Sequence, residues 1–204
     1  SPLQAIKQLA GWIEEDCHNI LPDESLRHLK TLKKRIDRME NLLSDLLAFS
    51  RISKENYDIE EVNLETLIKK SMFFNAVPDS FKLTQNACDT QIIAPRIPLE
   101  LALRNLIGNA VKHHDKDHGC IRVNYAFKQG HHIIQVSDDG PGIDPKLQKK
   151  AVEMFQTLKS RDEIEGSGLG LSVVKKSVER INGTMNIISD GLRGTTIELR
   201  WPMT

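Results

Sequence analysis

Between Asp23 and about Ile52, apolar residues recur at steps of three and four: Leu29, Leu32, Ile36, Met39, Leu43 and Leu46. That rhythm predicts one long helix whose apolar stripe faces other helices. Leu42 and Leu47 widen the stripe beyond a two-stranded seam, which favours a four-helix arrangement. Ser1 to about Asp16 reads as a shorter amphipathic helix with Leu3, Ile6, Leu9, Trp12 and Ile13 inward. The stretch "CHNILPD" breaks it, and Pro22 suits the first turn of the helix that follows. Residues 1–55 therefore form a helical hairpin. Two helices alone bury too little apolar surface, so a second copy is expected to complete a dimeric four-helix bundle.

After "KENYDIE" the period changes. Asp58 to Val62 predicts a short strand, and Asn63 caps a helix running to about Asn75. "FKLTQ" and "QIIAP" are short strands, and Pro98 opens a helix reaching about His113. "IRVNYAFKQG" and "HHIIQVSDD" alternate apolar and polar residues across a tight turn at Gln129-Gly130. Helices near Pro145–Val152 and Gly168–Ile181 and a closing hairpin complete the chain. Helices mixed with antiparallel strands predict an α+β fold, in which residues 56–204 form a two-layer α/β sandwich behind the hairpin.

Bulk properties narrow the function classes. Lys plus Arg equals Asp plus Glu, 28 each, so the basic surplus of a nucleic-acid binder is missing and no nucleic-acid partner is expected. No apolar run approaches the roughly 18–20 residues of a membrane span, so no membrane contact is expected from this segment. Cys17, Cys88 and Cys120 are scattered and lack a C-x-x-C pairing, which fits a reducing cytoplasm.

Two glycine stretches carry the chemistry: "SDDGPGID" at 137–144 and "GSGLGL" at 166–171. Neither belongs to a P-loop, which needs G-x-x-x-x-G-K-[ST], and Gly166, Gly168 and Gly170 do not follow G-x-G-x-x-G. On the helix "PLELALRNLIGNAVKHHD", Asn105, Asn109, Lys112 and His113 share one face. Asparagine is a middling helix former, so two on one stripe suggest either a plain solvated face or amide oxygens for a hard cation such as Mg²⁺.

Taken together, these segments resemble the ATP-binding domain of sensor histidine kinases, part of the wider family shared with DNA gyrase and the mismatch-repair ATPases. "NLIGNAVKH" is similar to the family's N box, "SDDGPGID" to its first glycine box, and "MFQTLKS" to its F box. "GSGLGLSVVKK" is similar to the second glycine box, "GLRGTTIEL" to the last glycine-threonine box, and the hairpin to the dimerisation and phosphotransfer domain. The resemblance implies Mg-ATP, with Asn109 on the metal and Asp138 accepting from the adenine amino group. Gly140, Gly142 and Ile143 would lie along the base. Gly166, Ser167, Gly168, Leu169, Gly170 and Leu171 would present backbone N–H groups to the phosphates at a helix start, which removes the need for a P-loop lysine. Asn105, Lys112, His113 and Thr196 would complete the site, and Phe155 would anchor a polar lid, "MFQTLKSRDEIE".

The hydrolytic members carry a glutamate one turn before the magnesium asparagine, where this chain has Asn105. The missing general base favours phosphoryl transfer over hydrolysis. The resemblance implies autophosphorylation of a histidine, followed by relay to an aspartate of a response-regulator receiver domain docked on the hairpin. In the family that histidine precedes a Ser-Pro-Leu or Thr-Pro-Leu, and this chain opens "SPLQAI". The acceptor is therefore expected about four residues, one helical turn, before Ser1. Ser1 would hold the position used for dephosphorylating the partner. His18 and His28 are weaker acceptor candidates; His114, His118, His131 and His132 are expected to be exposed loop or strand histidines, with zinc disfavoured by their spacing. The alternative to a kinase is a regulatory module that binds nucleotide without transferring phosphate.

Overall fold

The computed structural model describes residues 2–54, 57–156 and 168–203. Helices α1 (Pro2–Cys17) and α2 (Asp23–Lys54) form the hairpin. Ion pairs Lys7–Asp37 and Lys33–Glu14 clip it, and Ala10 and Ile36 are its fully covered apolar contacts. The expected inward residues Ile6, Leu9, Trp12 and Ile13 are about half exposed, as are Leu32, Met39, Leu43 and Leu46. One antiparallel neighbour covers only one side of a stripe this wide.

Strand β1 (Ile59–Asn63) pairs antiparallel with β3 (Gln91–Pro95) in a small sheet. Between them lie α3 (Leu64–Phe74) and β2 (Phe81–Gln85). Asn63 caps α3 as its residue type foretells: its side-chain oxygen accepts the Thr66 N–H at 2.8 Å. Helix α4 (Arg96–Lys112) starts two residues before Pro98, so that proline lies inside its first turn, where its missing N–H costs nothing.

Strands β4 (Gly119–Lys128) and β5 (His131–Asp138) form the predicted hairpin, with φ of 51° at Gln129 and 72° at Gly130. Such a double positive φ is what a two-residue turn between twisted strands requires. Two short helices follow, α5 (Gln148–Ala151) and α6 (Gly170–Glu179), both shorter than the sequence suggests, then β6 (Thr184–Ile188) and β7 (Thr195–Pro202). The main sheet runs β2-β4-β5-β7-β6. It is mixed rather than purely antiparallel, because β2 pairs parallel with β4 across the α4 crossover. Alternate residues of its strands, among them Val123, Ile134, Val136, Leu199 and Trp201, face α4 and α6 and build the core. Helix α4 is buried on the sheet side and the α3 side alike through Leu99, Leu103, Leu106 and Ile107. That places its polar stripe, with Asn105 and Asn109, along the remaining edge.

A second, smaller core joins the hairpin to the sandwich. Ile52 of α2 packs with Leu169 and Val173 at the start of α6, and Leu42, Phe49 and Leu101 close around them. Among the described residues, no helix is long and apolar enough to cross a membrane.

Candidate active site

A cavity of about 540 Å³ opens between α4, the loop after β5, the start of α6 and one face of α2, a size suited to a small-molecule ligand. Helix α4 contributes Asn105, Asn109, Lys112 and His113, the stripe that helical spacing predicts. The β5 end contributes Asp138, Gly142 and Ile143, and the α6 start contributes Gly168, Gly170 and Leu171. Residues as far apart in sequence as Asn105 and Leu171 thus meet around one space because the sheet end and two helix ends converge there.

Asp138 is the electrostatic centre of one end. Burial pushes its carboxyl pKa upward, while N–H bonds from Gly140, at 2.9 Å, and Thr195 act in the opposite direction. A carboxylate kept from water with backbone donors alone retains acceptor capacity, so a ligand donor there recovers solvation that folding removed. At the other end, the Asn105 amide donates to the Leu101 carbonyl at 2.8 Å, which leaves its oxygen turned toward α6. A Cβ on Gly170 would lie 3.3 Å from the Asn105 oxygen and 3.4 Å from the Asn109 amide. Glycine is what lets the first turn of α6 approach both amides without covering them. The first N–H groups of α6 are unpaired within the helix by its geometry, and they add a positive field where anionic groups would sit.

The remaining predicted residues fall elsewhere. Gly140 lies just behind the cavity, its carbonyl accepting the Gly194 N–H at 2.7 Å. Leu169 is 0% exposed and belongs to the core with Ile52, so it is a packing residue between two glycines. Thr196 turns away and its hydroxyl bonds Ser137 at 2.8 Å; its neighbour Thr195 lines the cavity instead, as strand alternation requires. The Phe155 ring is half exposed outside the cavity; its backbone, with that of Gln156, packs against Gly168, where a Cβ would come within 2.9 Å. Gly166, Ser167, most of the expected lid and Ser1 lie outside the described residues.

Two histidines expected to be exposed are buried. The His114 side chain is 1% exposed, and His132 is 5% exposed in an aromatic cluster with Tyr125 and Trp201. A histidine flanked by aromatic residues on alternating strands can pack like them, and neither its neighbours nor its period distinguishes the two outcomes.

Several lining residues have no motif of their own. Asn75 caps α3 and donates to the Ser71 and Arg104 carbonyls at 2.8 and 2.9 Å, and Arg104 sets its guanidinium 4.3 Å from the Phe74 ring centroid. Asn41, Ser44 and Asp45 of α2 close the cavity from the hairpin side. Their heptad positions mark them as a polar helix face, and the packing of Ile52 and Phe49 against Leu169, Val173 and Leu101 turns that face to the site.

Residues 94–204 match the family described as histidine kinase-, DNA gyrase B- and HSP90-like ATPase. Drug sensory protein A of Synechocystis sp. is 31% identical over 221 residues, covering 96% of this chain. The chain spans 32% of the length of that relative. Among solved structures, full-length ShkA in complex with AMPPNP superposes with a TM-score of 0.72 at 22% identity, over 100% of this chain and 43% of that one. Histidine kinase ThkA, in complex with the response regulator TrrA, gives 0.68 at 20% identity over 98% and 57%. At these identities the structures establish the fold.

Proposed function

This chain belongs to the histidine kinase-, DNA gyrase B- and HSP90-like ATPase family, and on that premise we propose that it is the kinase core of a two-component sensor. Its cavity binds ATP, with Asp138 accepting from the adenine amino group and Gly142 and Ile143 along the base. Asn109, supported by Asn105, offers an amide oxygen to Mg²⁺, and the glycine at position 170 keeps both amides open to it. The ion, when bound, neutralises charge on the phosphate oxygens. Lys112 and the N–H groups at the start of α6 hold the phosphates and orient the terminal one. No carboxylate stands at position 105 to activate water, so transfer to a side chain is favoured over hydrolysis.

The acceptor we propose is a histidine preceding Ser1 in the parent protein, with onward transfer to an aspartate of a receiver domain docked on the hairpin. Residues 1–55 serve as the dimerisation and phosphotransfer unit and 56–204 as the catalytic unit, in a cytoplasmic setting. The half-exposed stripe of Leu9, Trp12, Met39 and Leu43 is the surface that a second copy covers. The observation that carries the reading is the meeting of partly buried Asp138 with the Asn105–Asn109 stripe and the α6 glycines around one cavity.

The test uses the protein extended about thirty residues upstream, incubated with Mg-ATP labelled on the γ-phosphate, with Asn109→Ala beside it. The expected result is protein-bound label lost in acid, kept in alkali and absent from the variant. ATP binding without label would remove the kinase reading and leave a nucleotide-binding regulatory module.

A further inference from the structure

His114 follows the last turn of α4, the helix that carries Asn109 and Lys112, and its ring lies under the loop that carries Asp138. Its Nδ1 lies 3.0 Å from the Lys116 N–H and 3.2 Å from the Lys116 carbonyl; with Nδ1 accepting from the N–H, the closer of the two, Nε2 carries the hydrogen and faces Asp139 Oδ1 at 3.2 Å. The same carboxylate oxygen accepts the Cys120 N–H at 2.6 Å, so Asp139 joins the segment after α4 to the start of β4. The Phe81 ring meets the imidazole edge-on at 5.3 Å. Gly119 makes room for the ring, since a Cβ there would lie 2.7 Å from Nε2, while a Cβ on Gly140 would lie 3.4 Å from Cδ2 but 2.9 Å from Asp138 Oδ1. A second brace reaches the loop from the other side. Arg193 bonds Asp115 at 2.8 Å, and the adjoining Gly194 N–H bonds the Gly140 carbonyl at 2.7 Å.

We infer that His114 is a positioning residue for base recognition: through Asp139 it sets the backbone of 138–140, and so holds the Asp138 carboxylate at a set distance from the phosphate-facing stripe of α4. This rests on the nucleotide reading above. A side chain that merely filled the space under the loop would need no donor aimed at the residue beside Asp138. An imidazole locked at both nitrogens instead transmits the position of α4 to the carboxylate, and a base and its phosphates are joined by a fixed length of ribose. Loss of the lock lets Asp138 wander by the few tenths of an ångström that degrade a charge-assisted hydrogen bond.

The measurement is equilibrium binding of ATP and of purine riboside triphosphate, which lacks the 6-amino group, to the unaltered protein, His114→Ala, His114→Gln and Asp139→Ala. The unaltered protein should prefer ATP. His114→Ala should weaken ATP by about tenfold, the scale of one hydrogen bond to a charged group, and leave the analogue within about twofold. His114→Gln, which keeps a donor near Nε2, should recover most of the loss. Asp139→Ala should repeat the alanine pattern with the imidazole still in place, and it decides the matter if His114→Ala does not fold. Equal weakening of both nucleotides would overturn the inference and leave His114 a space-filling residue. An unaltered protein that binds both alike would overturn it too, by removing the base contact on which it acts. If the unaltered protein binds neither, the nucleotide reading itself fails and takes the inference with it.

Discussion

The hairpin and the sandwich spend their apolar residues in opposite ways. In the sandwich, Leu64, Leu103, Ile107, Val123, Ile134 and Leu199 are all 0% exposed. In the hairpin, Leu9, Trp12, Met39 and Leu43 are 50–53% exposed. The sandwich closes its core by itself, with helices on one face of a sheet whose strands alternate cleanly. The hairpin has the periodicity of a bundle, and its two helices leave much of the apolar stripe half exposed. The stability of the sandwich should therefore be intrinsic, while that of the hairpin should respond to a partner that covers its stripe. The contact between them, Ile52 against Leu169, falls beside the glycines that line the cavity.

The largest expected effect separates the chemistry from the bundle. Asn109→Ala should lower phosphoryl transfer by about 10²–10³-fold, the usual cost of one electrostatic group at a transferring centre. The molar mass in solution, followed by light scattering, should not change. A variant that lost both activity and assembly would show that the two regions are not separable as described.

Next comes the contrast in packing. Leu103→Ala should destabilise the sandwich by about 2–5 kcal/mol through loss of contacts and a residual cavity, and the urea midpoint should not depend on protein concentration. Leu43→Ala, at the half-exposed stripe, should act through association, so its cost should grow as the protein is diluted. If both variants responded to dilution alike, the sandwich would not be self-sufficient. A smaller effect is expected at Gly168, whose φ of 70° and whose approach to the Phe155–Gln156 backbone exclude a side chain. Gly168→Ala should cost about 1–3 kcal/mol, read as weaker nucleotide binding more than as a lowered melting point, because the strain lies at the mouth of the cavity.

Much of this is legible in the sequence. Asn63 as a cap, the Gln129-Gly130 turn and the common face of Asn105, Asn109, Lys112 and His113 each rest on local geometry that residue type dictates. What escaped was set by tertiary contact. Leu169 sits between two glycines that line the cavity and looks like part of the same loop, yet Ile52 buries it. Thr195 and Thr196 are indistinguishable until strand register assigns one to the cavity and the other to Ser137. The burial of His114 depends on the loop around Asp139 and Gly140 folding over its ring, a contact between segments that local pattern does not link.

The smallest effect concerns pH, and it tests whether the sandwich core responds alone. His132 Nδ1 shares a hydrogen bond with the Tyr125 hydroxyl at 3.1 Å and the ring stacks on Trp201, while its Nε2 has no partner among the described residues. Burial holds its pKa below the ordinary value of 6.5. In the unfolded chain it takes up a proton at that ordinary value, whereas the folded protein resists until the pH is lower. The unfolded state thus binds more protons in between, so this contribution to stability is complete above about pH 6.5 and declines as the pH falls through the folded value. The two tryptophans divide the readout, since Trp201 is 2% exposed in the sandwich and Trp12 is 51% exposed in the hairpin. In a Trp12→Phe background, Trp201 fluorescence should report a urea midpoint that falls between pH 7 and pH 5, and His132→Phe should flatten that slope. A slope unchanged by His132→Phe would mean that the acid sensitivity of the sandwich arises at its carboxylates, with Asp115 and Asp139, both held below the usual range by their hydrogen-bond donors, as the first to examine.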